Sequence, residues 1–363
     1  MIRLGSINDT IMNKLNKRQL DILDKMPFEE KFSSSDILKI IGKKQKISLV
    51  TIKRDLDYLV SFDYLERIGK GRATVYQKTM QGILLSPVDV AKYMAEEPDV
   101  RNGRSDFNFS LFEKFPIDVF SDEEKMDLKT ATIKYRERVK NISSVVQTKE
   151  LERFVIELSW KSSKIEGNTY TLLDTERLIR EGVPAEGHSK NEAKMILNHK
   201  KAFSFIMNNF GSLRTNGINQ KFTEKVHELL VEGLGVNSGV RKGLVGIIGT
   251  KYKPLDNKYQ IDEALSSLYE KVKKMKDPYN RALAMLVGIS YIQPFEDGNK
   301  RTARLLCNAM LLVENCVPLS YRSIDENIYR EAILVFYEKN SVIPMKKIFI
   351  EQYLFSADNY LVK

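Results

Sequence analysis

The chain has 363 residues, 42% hydrophobic and 29% charged, with two cysteines and three histidines. That is the balance of a soluble globular protein with room for two or three cores, and no apolar run approaches the ~20 residues of a membrane span. The first stretch, MIRLGSINDTIMNKLNKRQLD, lacks the apolar core of a signal peptide, and Cys307 and Cys316 cannot build a disulfide framework. The reading is a cytoplasmic protein with no membrane partner and two reduced core thiols. The net charge is +10, and residues 1–80 hold 16 Lys/Arg against 10 Asp/Glu, a basic balance that suits a polyanion partner.

Residues 15–80 read as three helices and a hairpin. NKRQLDILDKM is amphipathic, and SSSDILKIIG starts on Ser34 or Ser35 as N-cap and stops at Gly42. SLVTIKRDLDYLVSFDYL sets Ile52, Leu56, Leu59 and Val60 on one face. LERIGKGRATVYQKT reads as two short strands around Gly69-Lys70-Gly71-Arg72. Together these make a small α+β winged helix-turn-helix over residues 1–80. TIKRDLDYL followed by RIGKGRATVY resembles the DNA-binding domain of DeoR-like bacterial regulators. The resemblance implies a third helix in the major groove of duplex DNA. Thr51, Lys53 and Arg54 would face the DNA, and Lys70 and Arg72 would reach phosphate. The same pattern also suits a winged helix used for protein contacts, with Arg54 and Asp55 as surface ions.

Residues 81–145 begin without a sustained period and read as a linker and docking segment, helical from about residue 121. Residues 146–316 follow as a helical core and 317–363 as C-terminal helices packed on it. The stretch GLVGIIGTKYKPLDNKYQI (243–261) alternates like a strand and turns at Pro254 and Asp256. TKELERFVIELSWKSSKIEGNTYT carries Leu151, Phe154, Leu158 and Trp160 in a helical run that ends near Gly167. Ser162 and Glu166, four apart, share a face. A carboxylate at a helix C-terminus opposes the dipole unless a cation pairs with it. His227, in TEKVHELLVEGL, reads as a core or groove residue.

DPYNRALAMLVGISYI begins on Asp277-Pro278 and is apolar on most faces, as a buried helix must be. TARLLCNAMLLV is a second buried helix. Between them, Gln293 to Lys300 is a tight loop that enters the second helix at about Asn299. Free N–H groups and the helix dipole favour an anion there, and Gly298 lets backbone come close to it. Arg301 and Arg304, three apart, can point at one polyphosphate, and Asp297 is placed for a Mg²⁺ that bridges phosphate oxygens.

QPFEDGNKRTAR resembles the Fic-family signature His-Pro-Phe-x-Asp/Glu-Gly-Asn-Gly/Lys-Arg-x-x-Arg in every position except the first. SSKIEGNTYTL is similar to the family's inhibitory motif at Ser162, Glu166 and Gly167, and SGVRKGLVGIIGT resembles the lead into its β-hairpin flap. The resemblance covers roughly residues 85–355. It implies a mainly α chain: a helical Fic domain with a β-hairpin flap, preceded by the winged helix. It also implies AMP transfer from ATP to a protein hydroxyl. Phe295 would pack the loop into the core and Asp297 would hold Mg²⁺. Gly298, Asn299 and Lys300 would cradle phosphates, and Arg301 and Arg304 would bind the outer ones. The flap would hold the target as an added strand. Glu166 would pair with Arg304 and displace the γ-phosphate, so that the chain's own helix inhibits it. A homodimer is compatible with all of this.

Two departures matter. Lys300 stands where Gly is commoner, as in the branch that transfers a phosphoryl group. Gln293 stands where the family's His deprotonates the attacking hydroxyl, and an amide cannot take that proton. Three readings follow: an impaired adenylyltransferase, a nucleotide-sensing DNA-binding regulator with a non-catalytic domain, and a phosphoryl transferase. Gln293 itself could be native to a sensing domain, native with altered chemistry, or an inactivating replacement of the base.

Overall fold

In the computed structural model, which describes residues 15–27, 30–42 and 47–362, the first unit is three helices and a hairpin. Helix α1 (Lys17–Lys25) opens on a reciprocal cap between Asn16 and Gln19. Helix α2 (Ser34–Gly42) is capped by Ser33 rather than by Ser34 or Ser35. Only Ser33 has an acid three residues on: its hydroxyl accepts from the Asp36 amide, and the Asp36 carboxylate accepts from the Ser33 amide. Helix α3 (Leu49–Ser61), capped by Ser48, buries Ile52, Leu56 and Leu59. Strands β1 (Leu65–Ile68) and β2 (Val75–Lys78) pair antiparallel, with Leu65 opposite Lys78. These elements close a core of their own around Ile22, Ile37, Leu56 and Tyr76. Asp55 is not a surface ion. It is buried and accepts from Arg18 and Gln19 of α1.

Helix α4 (Met80–Leu84) leaves the hairpin so closely that a side-chain carbon on Gly82 would fall 1.9 Å from the Tyr64 carbonyl. Only glycine permits that approach. After α5 (Val90–Met94), residues 95–120 run over the second unit. That unit comprises α6 (Asp122–Lys140), α7 (Ser144–Ile165), α8 (Leu172–Glu181), α9 (Lys190–Asn208), α10 (Phe210–Asn216) and α11 (Gln220–Val231). It continues with α12 (Lys258–Lys274), α13 (Pro278–Ile292), α14 (Asn299–Val313), α15 (Glu326–Lys339) and α16 (Ile343–Asn359). Its centre is the antiparallel pair α13 and α14; α13 buries nearly every side chain, which is why its sequence shows no polar face. Cys307 and Cys316 are free and buried. No helix of the described residues is long and apolar enough to cross a membrane.

Residues 243–257 do not form the expected β-hairpin; among the described residues the only sheet is β1–β2. The stretch carries Gly243, Gly246 and Gly249, and its Leu244 and Ile248 are 78% and 98% exposed. Ile247, Tyr252 and Leu255 do pack inward, but an alternating pattern becomes a strand only where a partner supplies the ladder, and no described segment pairs with this one. The middle of this stretch is tied down by a buried carboxylate. Glu338 on α15 accepts from the Tyr93 hydroxyl (2.6 Å), the Arg101 guanidinium (3.1 Å) and the Thr250 hydroxyl (2.7 Å). Arg101 also donates to the Gly249 carbonyl at 2.9 Å. One side chain thus joins the docking segment, the 243–257 stretch and α15.

Removing that carboxylate leaves Arg101, itself 5% exposed, buried without its ion partner. Glu338→Ala is expected to cost about 3–5 kcal/mol in urea denaturation, the scale for breaking a buried pair. A loss under about 0.5 kcal/mol, the scale of a surface substitution, contradicts the assignment.

Candidate functional site

The site is built where α13 hands the chain to α14. Asp277 caps α13 by accepting from the Tyr279 and Asn280 amides, with Pro278 in the first turn. The helix ends on Gln293, which adopts the left-handed conformation (φ 52°, ψ 56°) usually left to glycine or asparagine. Its side chain holds the turn together. The amide nitrogen donates to the Ser290 carbonyl (2.7 Å) and the Tyr337 hydroxyl (3.2 Å), and the oxygen accepts from the Asn299 amide (2.9 Å). Asn299 donates in turn to the Phe295 carbonyl (2.8 Å) and accepts from its N–H (2.9 Å). Arg241 pins the start of the 243–257 stretch to the same turn, donating to the Gln293 carbonyl at 2.7 Å.

Beneath the loop, Phe295 stacks on His227 with ring centroids 3.7 Å apart and planes 6° from parallel. His227 Nε2 donates to the Asp297 carbonyl at 2.9 Å. Burial pushes its pKa down to about 4, against that hydrogen bond, so the ring is neutral and structural. Gly298 (φ 79°) caps α14 with no side chain in the way, leaving the first-turn amides without intrahelical partners.

Two cations meet one acid above this turn, and a third lies close by. Arg301 and Arg304 are 1% and 0% exposed. Arg304 donates to the Ser162 hydroxyl (2.9 Å), the Ser162 carbonyl (2.8 Å) and Glu166 Oε1 (2.9 Å). The second Glu166 oxygen lies 2.9 Å from Lys300 Nζ. Burial alone would raise the Glu166 carboxyl, but Arg304, Lys300 and Arg301 outweigh it and hold the pKa down to about 2. Gly167 (φ 95°) then turns the chain away. Helix α15 holds the end of α7, with Arg330 donating to the Ile165 carbonyl (2.8 Å) and Glu326 paired with Lys161 (2.5 Å). Arg301 reaches the Asp297 carboxylate at 3.2 Å, yet its Nε and Nη1, and Nη1 of Arg304, are buried with no acceptor. The Asp297 carboxylate also accepts from the Gly298 amide (2.6 Å), and its side chain is 65% exposed.

A cleft of about 550 Å³ opens over this cluster. It is lined by Glu166, residues 245–248, the Gln293–Lys300 loop and, from α15, Arg330, Leu334 and Tyr337. Gln293, Asp297, Gly298, Asn299, Lys300, Glu166 and Gly167 therefore line one cleft, while Arg301, Arg304 and Ser162 lie buried behind it, Arg304 held by Glu166 and Ser162 and Arg301 by Asp297. Thr51, Lys53, Arg54, Lys70 and Arg72 lie apart, on α3 and the hairpin turn. Lys53, Arg54, Lys70 and Arg72 are exposed, while the Thr51 hydroxyl is engaged with Ser48 at 2.9 Å. Sequence reasoning missed Arg241, Arg330 and Tyr337. Arg330 and Tyr337 sit 30 or more residues from the loop and have no local signature. It also missed the Lys300–Glu166 pair, although Lys300 and Arg304, four apart on one helix, foreshadow a shared anion.

Residues 217–311 match the Fic/DOC family. The chain carries a Fic/DOC domain. It is 27% identical over 175 residues to the protein adenylyltransferase Fic of Nematostella vectensis, a match covering 47% of this chain and 41% of that protein. It is 24% identical over 158 residues to the protein adenylyltransferase fic-1 of Caenorhabditis elegans, covering 43% and 31%. The chain thus spans less than half the length of these curated relatives. The fold is similar to that of C. elegans Fic-1 (residues 134–508), with a TM-score of 0.57 at 19% identity over 66% of this chain and 72% of that one. It is also similar to a Fic domain containing signaling protein of Bacteroides thetaiotaomicron, with a TM-score of 0.55 at 18% identity over 64% and 94%.

The depressed Glu166 pKa sets how the stability of the chain should depend on pH. A carboxyl held below its ordinary value of 4.5 adds stability that is complete above that pH and is lost as pH falls toward about 2. Parent and Glu166→Gln should therefore differ most in urea stability near neutrality, the parent being the more stable. The gap should shrink between about pH 4.5 and pH 3. A gap constant across that window contradicts the pairing.

Proposed function

We propose that this chain is a Fic-type protein adenylyltransferase held at rest by Glu166 and slowed by Gln293. The observation that carries the reading is the pair of buried guanidinium groups with donors left over. Arg301 and Arg304 are almost wholly shielded from water, yet three of their N–H-bearing nitrogens lack acceptors. Buried unpaired donors are costly, and a polyphosphate entering from the cleft would satisfy them together with the first-turn amides of α14. The relatives named protein adenylyltransferase support ATP as that ligand.

In this reading a target hydroxyl oxygen attacks the α-phosphorus of ATP. The α–β bridging P–O bond breaks, pyrophosphate leaves, and the hydroxyl proton must go to an acceptor. Gln293 cannot be that acceptor, and its oxygen already accepts from Asn299. Losing a general base typically costs about 10²–10⁴-fold. Asp297, an exposed carboxylate beside the anion cradle whose neighbour Glu296 is taken up by Asn237, fits the mostly phosphate-and-water coordination that Mg²⁺ prefers; bound there, the ion would neutralise phosphate charge. Glu166 occupies Arg304 and Lys300, so a nucleotide must displace it before its outer phosphates can be held.

Removing either restraint alone leaves the other limiting. Glu166→Gly should tighten ATP binding yet give little auto-modification, and Gln293→His should stay weakly active. The double variant should label strongly from α-³²P-ATP, non-additively in rate. Equal labelling by Glu166→Gly alone contradicts the role given to Gln293, and label from γ-³²P-ATP only points to phosphoryl transfer instead.

A second reading, a nucleotide-sensing regulator that binds duplex DNA, is favoured by the hydrogen-bonded Gln293 and by the first unit. Read as a winged helix, that unit exposes Lys53, Arg54, Lys70 and Arg72 on α3 and the turn. Each phosphate these side chains neutralise should steepen the salt dependence of DNA affinity by about 0.9 in log–log slope. Arg54→Ala with Arg72→Ala should therefore weaken binding and flatten that slope by roughly 2. Unchanged binding in an anisotropy titration overturns this surface.

A further inference from the structure

We infer that Lys300 is an exchange cation: it holds the second oxygen of Glu166 at rest and passes to the terminal phosphate of a nucleoside triphosphate when Glu166 leaves. The inference rests on the nucleotide reading above and adds to it the residue that makes the site discriminate by phosphate number.

The two cations that bridge Glu166 are not equivalent. Arg304 is immobile: it is fully buried, donates twice to Ser162 and lies over the Tyr329 ring at 5.3 Å. Lys300 is 26% exposed, sits in the first turn of α14 and lines the cleft. Its charge rides on a flexible stem, so it can follow an anion that Arg304 must wait for. Lys300 and Arg304 stand four apart on one helix face, where like charges repel unless an anion lies between them. Glu166 is that anion at rest, with one oxygen 2.9 Å from each. When Glu166 swings out, Arg304 keeps Ser162 but Lys300 loses its only ion pair among the described residues. A ligand that restores a bridging anion recovers this loss. A terminal phosphate has the charge and reach to do so, whereas the single phosphate of AMP, next to the ribose, lacks the extension. The low pKa of Glu166 agrees with its holding two cations, with Arg301 contributing from further off.

The test is calorimetric titration of ATP and of AMP, each with Mg²⁺, into the full chain as parent, Lys300→Met, Glu166→Ala and the double variant. In the Glu166→Ala background, Lys300→Met should weaken ATP binding about tenfold, the worth of one hydrogen bond to a charged group, and leave AMP unaffected. In the parent background the same substitution should change ATP affinity less than about twofold, because the lost phosphate contact is offset by a looser Glu166. An equal factor in both backgrounds, or an equal effect on ATP and AMP, overturns the exchange while leaving the nucleotide site standing. Absence of ATP binding in all four proteins overturns the nucleotide reading and the exchange with it. A readout independent of nucleotide is the NMR titration of the Glu166 side-chain carboxyl. It should move to higher pH in Lys300→Met, and an unmoved midpoint overturns the resting half of the exchange.

Discussion

The site turns on one carboxylate shared by two cations. Glu166 comes from the C-terminal end of α7, where a negative charge opposes the helix dipole, and it is tolerated there because Arg304 and Lys300 of α14 meet it. The same contact satisfies part of a guanidinium buried at 0% exposure, which would otherwise need an outside anion. Each helix end therefore corrects the other. An anion that takes Arg304 and Lys300 at the head of α14 has to break this contact, so the coupling between the end of α7 and the start of α14 follows from charge and burial before any chemistry is considered.

Helix α15 connects this contact to the rest of the chain. Along its length, Glu326 and Arg330 hold the end of α7, Tyr337 accepts from Gln293, and Glu338 gathers Tyr93, Arg101 and Thr250. The end of α7, the loop between α13 and α14, the 243–257 stretch and the segment before α6 all meet this one helix. Gln293 is part of that scaffold. Its three side-chain bonds fix a left-handed turn, which accounts physically for an amide at this position whatever its consequence for proton transfer.

What the sequence made legible was local. The Asp277-Pro278 start, the glycine at the head of α14 and the arginines three apart are read from spacing, because caps and helix faces are set within a few residues. The Glu166–Arg304 pairing came from a family resemblance and not from spacing, since the partners are 138 residues apart. The misreadings have physical causes too. A run of three Ser hid the one with an acid at the right distance, so the cap of α2 fell on Ser33. Alternation in 243–257 looked like a strand, but the stretch carries three glycines and no described segment pairs with it. Glu338, Tyr337 and Arg330 were invisible because their roles arise from packing between distant segments. Asp55 looked like a surface ion, and only the fold brings Arg18 and Gln19 over it.

The central claim is that Glu166 stands where the outer phosphates of a nucleotide belong. It is tested most directly by a crystal structure of Glu166→Ala with Mg²⁺ and a non-hydrolysable ATP analogue. The account predicts terminal phosphate oxygens within hydrogen-bond distance of Arg304 and Lys300, at the positions the Glu166 oxygens hold here, with Gln293 still bonded to Asn299. Phosphates bound elsewhere, with Arg304 unpaired by them, would contradict it.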